Sequence, residues 1–473
     1  MIDVNALTEI FGNNMLVDTK KVQRYGIDQV GDDHYRQAPQ AVVFPTETAQ
    51  VAALMKWAND TGTPVTPRGA GSGLAGAAIP ASGGVVCSFE KMNRIIDIDT
   101  ENLMVTVEPG VITNALDAEL KTHGLFFAGY PMSEDICFIG GNVAENAGGG
   151  RAVKYGTTAT YVLGAEVVTP TGEILHLGGK RLKDVTGYNL LQLIVGSEGT
   201  LGLFTQLVIR VIPRPSVRGV LFASFPQAAE ATKCIAALKR ESSEIPSAIE
   251  FIDGETARRT NDSLRNADRR TLDPDVQAYL LIEFDGAEIA VVEALLQGAA
   301  DLVAEHGGTS DTMGTHADTM EAAWKLRKQV PWWVKRNAGS HHSLEDVVVP
   351  PAAVPRLVMF VERLRTTYDL PIAVFGHAGD GNFHVTPMKA EEMTPAQWDE
   401  TIPALLNELY REVVRLGGTI SGEHGIGRKR VKHLSVALSP AEQGSMVAIK
   451  RALDPNNVLN PGVVFDAAHE AAE

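Results

Sequence analysis

At 473 residues the chain exceeds one ordinary domain and accommodates two large ones. Hydrophobic residues make up 44% and charged residues 21%, the balance of a soluble globular protein. A formal net charge of −16 argues against nucleic acid or an anionic membrane surface as the main partner, though a local basic pocket for an anionic substrate remains compatible with it.

The first residues, MIDVNALTEIFGNN, lack a basic start followed by an apolar run, so no secretory signal is expected. No uncharged apolar stretch approaches about 18 residues, so no transmembrane segment is expected either. Cys87, Cys137 and Cys234 lie far apart. That spacing excludes a CxxC redox pair, a four-cysteine zinc site and a cysteine-ligated iron–sulfur cluster within the chain. The expectation is three core cysteines in a reducing cytoplasm.

Residues 1–36 read as helical and irregular lead-in. A strand-like AVVFP follows, then a helix whose apolar positions Val51, Leu54, Met55 and Ala58 share one face. A capping box at Thr46 or Thr48 is expected to start it and Gly62 to stop it. The strand TPVTP completes a strand–helix–strand unit. Short strands and glycine-rich turns come next, with TPTGE as a hairpin turn, and the pattern is α+β rather than regular βαβ alternation. IPRPSVRG (212–219) is the best domain boundary. From 220 to about 410, strands such as GVLFASF and YLLIEFDG alternate with long helical stretches, which predicts a sheet covered on one face by helices. The last 60 residues combine the loop GGTISGEHGIGR with helices and the motif DPNNVLNPG, ending in a frayed tail at 466–473.

Three glycine loops crowd the first domain: PRGAGSGLAGAAIP (67–80), IGGNVAENAGGG (139–150) and GSEGTLG (196–202). GSGLAG fits the Rossmann pattern, but that fold needs a helix directly after the glycines. Pro80 and the Gly83–Gly84 pair would break such a helix within two turns. The first loop therefore reads as non-helical backbone whose N–H groups meet a phosphate, with Arg68 adding charge. One long cofactor lying across all three loops accounts for their density.

Two histidine clusters stand out. GHAGDGNFHVTP places His377 and His384 on two strand-like pieces joined by a tight turn, and SGEHGIG places Glu423 beside His424. Two histidines and a carboxylate leave open positions on a metal, as catalysis requires; the bland alternative is two unrelated hairpins with polar tips. His341 and His342 read as structural or supporting residues. Arg327, among Trp324 and Leu326 in a helical segment, suits a bidentate carboxylate contact, or equally a surface arginine with a packed stem.

PRGAGSGLAG, IGGNVAENAGG, GSEGTLG, HAGDGNFH, GEHGIG and the terminal NPG occur in an order that resembles the flavoprotein family of glycolate oxidase catalytic subunits, D-lactate dehydrogenases and D-2-hydroxyglutarate dehydrogenases, over about residues 20–465. The resemblance implies an α+β fold: a two-lobed FAD-binding domain of the vanillyl-alcohol-oxidase type plus a substrate domain with an antiparallel sheet covered by helices. The expected division is lead-in 1–36, FAD domain 37–215, substrate (cap) domain 216–410, a C-terminal segment 411–465 returning to the flavin, and a tail.

It further implies FAD contacts at Arg68, Gly69, Ala70, Gly71, Ser72 and Gly73, at Pro131 and Ser133, at Gly140, Gly141, Ala144, Asn146 and Gly148, and at Gly199, Ile209 and Asn460. Some relatives tether the flavin through a histidine in the first loop; this loop has none, so FAD is expected to be non-covalent. The resemblance also implies a divalent metal (zinc, manganese or iron) on His377, His384 and Glu423, with His424 as base and Arg327 and Asn382 on a small 2-hydroxy acid.

The hydroxyglutarate enzymes carry a lysine where Leu344 stands, which tilts the expectation toward D-lactate or glycolate, although Lys335, His341 or His342 could take its place. D-2-Hydroxyglutarate or D-malate oxidation is the nearest alternative. A non-redox, alkyl-transferring flavoenzyme of the same fold is the alternative of another class, and a non-catalytic FAD-binding scaffold would leave the metal residues unused. Electrons would pass to an electron-transfer flavoprotein, an iron–sulfur subunit or a quinone. A cytoplasmic protein, a homodimer, and peripheral membrane contact through the acceptor are all compatible with this reading.

Overall fold

The computed structural model describes residues 2–31, 33–338 and 341–466, and the chain divides into two compact units. The expected tail lies almost wholly outside the described residues. The first unit comprises residues 1–149, 156–214 and 423–473; the second comprises 150–155 and 215–422.

The first unit holds two sheets. In one, the strands Ala41–Val43 and Val65–Arg68 both pair in parallel with Val85–Ser88, and Met15–Leu16 adds an antiparallel edge. The helix Thr48–Thr61 makes this crossover. Its Val51, Leu54, Met55 and Ala58 are fully buried against Ala41, Val43, Val65, Val85 and Cys87. The helix ends as expected at Gly62, whose φ of 65° is the left-handed conformation glycine adopts without strain. Its start differs: the N-cap is Glu47 without a side-chain cap bond, and the Gln50 side chain instead accepts the Thr46 backbone N–H. The second sheet is antiparallel, in the order Ile95–Asp99, Met104–Val107, Leu203–Arg210, Val162–Val168, Ile174–Gly178. The TPTGE turn closes its last hairpin. All three cysteines are buried and unbridged, and burial raises each thiol above its ordinary pKa, Cys234 to about 12.

The second unit is built on a seven-stranded antiparallel sheet, in the order Thr309–Gly314, Val217–Phe225, Ala278–Gly286, Ala248–Asp253, Ile372–His377, Asn382–Pro387, Glu345–Val348. The helices Ala228–Glu241, Ile289–Glu305 and Val354–Tyr368 pack together on one side. Gly219 shows that face: a Cβ there would meet Leu296 and Val292 of the covering helix at 2.7 and 2.8 Å. The opposite face is also partly covered, because the long helix Ala317–Ala338 sends Trp324 and Arg327 onto it. Among the described residues, no helix is long and apolar enough to cross a membrane.

Candidate active site

The residues singled out from the sequence fall into two sets, one in each unit. In the first unit, the Val65–Arg68 strand runs directly into residues 69–80, which form turns and no helix. Ala70 and Ser72 lie on this turn, half-buried. Arg68 is buried, donates from Nη1 to Ala78 O at 3.2 Å, and packs against Gly71, where a Cβ would collide with the guanidinium. Burial lowers the Arg68 pKa, with Asp28 opposing. Asp28 Oδ2 accepts the Gly76 N–H at 2.9 Å.

The second glycine segment is not a loop. Ile139–Glu145 is a short helix, set by the Gly140 N–H bonding to Pro109 O at 2.8 Å and by Asn142 Nδ2 donating to Thr113 Oγ1 at 2.7 Å. Gly140 backs onto Pro109, and Gly69 faces Gly141 closely enough that a Cβ on Gly69 would lie 3.7 Å from Gly141 Cα. The third segment locks onto the second: Glu198 N–H bonds Ala144 O at 2.8 Å, and Gly196 N–H bonds Val143 O at 3.0 Å. Gly199, at φ 66°, lies against the Pro67 ring.

Asn460 ties the segments together, donating from Nδ2 to Ala77 O at 3.1 Å and Glu198 O at 2.9 Å. Its Oδ1 is buried with no protein hydrogen-bond partner, whereas Gly141 has open space where a Cβ would be. A buried acceptor lacking a donor and a side-chain-free backbone face suit a bound ligand that carries both hydrogen-bond donors and phosphate groups, as FAD does. Asn146 ends the short helix in the left-handed conformation and accepts Ala159 N–H at 2.8 Å. Pro131 packs behind Gly149, next to Gly148, and Ser133 O accepts Cys137 N–H. Ile209 is fully buried within the five-stranded sheet.

The GEHGIG segment is anchored in the same unit. Glu198 Oε1 and Oε2 accept the N–H groups of Ile426 and Gly427, each at 2.7 Å. A Cβ on Gly148 would lie 3.6 Å from Glu423 Cβ, and His424 Nε2 is 3.5 Å from Glu423 Oε1. Burial raises Glu198 to about 7 and Asp28 to about 6; it also raises Glu145 well above the usual carboxylate range, helped by the charges of Glu198 and Asp28.

In the second unit, the register places a polar row on one face of the sheet. Glu283 pairs across from Ala248, Glu250 from His377, Phe375 from His384, and His384 from Asp346. His377 and His384 are buried with ring centroids 5.4 Å apart, nearly perpendicular. Asn382 donates from Nδ2 to Asp346 Oδ1 at 2.7 Å, and His384 Nδ1 is 3.9 Å from that same oxygen. Asp346 Oδ2 accepts Ser421 Oγ–H at 2.9 Å and Gly422 N–H at 2.8 Å, so it pins the residue that directly precedes Glu423. Two imidazoles with a buried carboxylate beside them form a donor set that a borderline divalent metal accepts.

Glu250 is wholly buried. Its Oε2 accepts Arg327 Nε–H and its Oε1 accepts His377 Nδ1–H, both at 2.6 Å. Burial alone would raise its pKa; the Arg327 charge, with the hydrogen bonds from His377 and Arg327, more than reverses this and holds the carboxyl below the usual range. Arg327 therefore belongs to the buried side of its helix, with its guanidinium over the Phe375 ring at 5.1 Å. His341 and His342 are half-buried and border the sheet, His341 O accepting the Lys389 N–H.

Sequence reasoning missed Glu250, Glu283 and Asp346. The signal was present: AIEFID, LLIEFD and EDVVV each set an acid inside an apolar strand, and a buried carboxylate requires a partner.

Two family models match the chain: "FAD binding domain" over residues 39–178 and "FAD linked oxidases, C-terminal domain" over 214–464. Glycolate oxidase subunit GlcD of Bacillus subtilis is 35% identical over 441 residues, covering 91% of this chain and 90% of that protein. A D-lactate dehydrogenase of Anaerostipes hadrus is 36% identical over 430 residues (90% and 89%). A D-2-hydroxyglutarate dehydrogenase of Stutzerimonas stutzeri is 30% identical over 461 residues (96% of each). Among solved structures, p-cresol methylhydroxylase with substrate bound superposes with a TM-score of 0.80 at 19% identity, over 98% of this chain and 96% of that one, a likeness of fold.

Proposed function

This chain belongs to the family of FAD-linked oxidases that includes glycolate oxidase subunits, D-lactate dehydrogenases and D-2-hydroxyglutarate dehydrogenases, and we propose that it oxidises a small D-2-hydroxy acid, D-lactate or glycolate, to the 2-oxo acid. The observation that carries this reading is the Glu250 carboxylate, which holds Arg327 and His377 on one sheet face. A carboxylate-binding arginine and a metal-binding histidine set side by side are what recognition of a 2-hydroxy acid at both ends requires.

FAD, when bound non-covalently at the glycine segments, supplies the acceptor for the hydride leaving C2, and a divalent metal on His377, His384 and Glu423 supplies Lewis acidity at the 2-hydroxyl. The chain's own groups bind and align. Arg327 presents a planar, permanently charged donor set to the substrate carboxylate, and Asn382, fixed by Asp346, lies on the same face as the histidines. His424 takes the hydroxyl proton at an imidazole nitrogen, a role in which general-base loss costs about 10²–10⁴-fold in rate. Zinc, manganese and iron all suit two histidines and a carboxylate. Three buried, separate cysteines assemble no cluster, so electrons leave the flavin to a protein partner, a quinone, a dye-like acceptor or oxygen.

The test is anaerobic flavin reduction by D- and L-lactate, glycolate, D-2-hydroxyglutarate and D-malate. Bleaching by D-lactate or glycolate, loss of turnover on chelation, and a drop of at least 100-fold in His424→Ala are the expected results. A protein whose flavin no hydroxy acid reduces, and which transfers an alkyl group without net flavin reduction, would refute the reading.

A further inference from the structure

Glu250 lies at the middle of its sheet, on the Ala248–Asp253 strand, with Glu283 on one neighbouring strand and His377 on the other. Its two oxygens are divided: Oε2 takes the Nε–H of Arg327 and Oε1 takes the Nδ1–H of His377, each at 2.6 Å. The pair is packed in place. Gly150 approaches so closely that a Cβ there would sit 2.7 Å from Glu250 Oε1. One helical turn before Arg327, Trp324 Nε1 donates to Glu283 Oε2 at 2.8 Å, so two successive acids of the sheet hold one helix.

We propose that Glu250 is a positioning residue which sets, through one oxygen each, the arginine that takes the substrate carboxylate and the histidine that takes the metal. This rests on the function proposed above for Arg327 and His377. The chemistry follows from the donor inventory. A carboxylate only accepts, so the His377 proton sits on Nδ1 and the ring's lone pair is on Nε2, the atom a metal needs. Arg327 spends its Nε–H on Glu250, so the substrate carboxylate is left to the two terminal nitrogens. Because one rigid, buried carboxylate fixes both groups, the spacing between metal and carboxylate anchor is set by a single side chain. That spacing selects acids whose hydroxyl is on the carbon next to the carboxylate.

Glu250→Gln separates this role from charge-free packing. A side-chain amide has one accepting atom, its oxygen, and one donating atom, its nitrogen. The Arg327 Nε–H can only donate, so the amide oxygen must face Arg327 and its NH2 must face His377. Nδ1 then becomes the acceptor, the proton moves to Nε2, and the lone pair is withdrawn from the metal side.

The experiment measures the zinc dissociation constant of the FAD-loaded protein by competition with a chromophoric chelator, alongside the KM for D-lactate. Glu250→Gln is expected to weaken zinc about 10- to 100-fold and to raise KM. Glu250→Asp, which still only accepts, is expected to lie closer to the parent protein in both. Should Glu250→Gln fail to fold, nitrogen-15 histidine spectra of the unsubstituted protein decide: a proton on His377 Nδ1 supports the proposal and a proton on Nε2 overturns it. If the unsubstituted protein binds zinc and Glu250→Gln binds it as tightly, this inference alone is wrong. If the unsubstituted protein binds no metal and no hydroxy acid reduces its flavin, the functional reading fails and takes this inference with it.

Discussion

Glu198 and Gly427 lie 229 positions apart in sequence, yet the Gly427 N–H bonds the Glu198 carboxylate at 2.7 Å, with Ile426 N–H on the other oxygen. The GEHGIG segment is thus hung from the third glycine loop by one buried acid. Burial pushes that acid to about 7 against an ordinary 4.5, although its backbone hydrogen bonds oppose the rise. A carboxyl whose folded pKa is raised binds its proton more tightly when folded. Its contribution to stability is therefore complete below about pH 4.5 and is lost as pH rises through about 7. Asp28, raised to about 6, and Glu145, also raised by burial, act in the same direction. The FAD-free protein should lose on the order of 3 kcal/mol between pH 5 and 8 from Glu198, and Glu198→Gln should flatten that fall. Thermal melts across this window check it; a Tm independent of pH in the unsubstituted protein contradicts it.

Gly140 carries a second prediction. Its N–H bonds Pro109 O, and a Cβ would run into the Pro109 ring. Gly140→Ala should cost about 1–3 kcal/mol by overpacking and should displace the short helix that bears Gly141 and Ala144. The purified variant is expected to retain less FAD than Gly298→Ala, a control position on the exposed face of the Ile289–Glu305 helix where a Cβ meets nothing within 4 Å. Equal flavin content in the two variants counts against a cofactor contact at this helix.

What could be read in advance follows the range of the forces involved. The break after GSGLAG was legible because Pro80 acts locally, and residues 69–80 are indeed non-helical. The helix Thr48–Thr61 was legible from its apolar spacing, while its cap was not, since Gln50 reaches Thr46 in place of a capping hydroxyl. The helix Ile139–Glu145 was hidden: two glycines each cost about 1 kcal/mol of helix propensity, and Pro109 and Thr113, distant in sequence, supply the bonds that hold it. Arg327 was an even choice between ligand and surface because its partner, Glu250, lies 77 positions away. Strand register, which no local pattern encodes, is what aligns Glu250, His377, His384 and Asp346.

Arg327→Lys keeps the charge and loses the planar fork. A lysine ammonium is a point charge that can satisfy Glu250 or the substrate carboxylate, but not both in the same geometry. A hydrogen bond between charged groups contributes about 1.5–3 kcal/mol. The half-saturating concentration of D-lactate in stopped-flow flavin reduction should therefore rise about 10- to 100-fold, with a smaller change in the limiting rate. A variant whose half-saturation is unchanged would remove Arg327 from the substrate.

Leu344 carries the proposed preference for a small monocarboxylate, and that preference can be tested. It is half-buried and directly precedes the Glu345–Val348 strand, two residues before Asp346 and on the same edge of the sheet that carries His384. An aliphatic side chain offers nothing to a second carboxylate and leaves its desolvation uncompensated, so a dicarboxylate is disfavoured there. Leu344→Lys supplies an ammonium at the position where the resemblance to the hydroxyglutarate enzymes expects one. Its pairing with a carboxylate at a partly exposed position should contribute about 1 kcal/mol, enough to shift the ratio of kcat/KM for D-2-hydroxyglutarate over D-lactate by roughly 5-fold. Paired flavin-reduction assays on the two acids measure that ratio directly. A ratio that stays put, with D-lactate still oxidised, places the second carboxylate away from residue 344 and returns Lys335, His341 and His342 as the groups to substitute next.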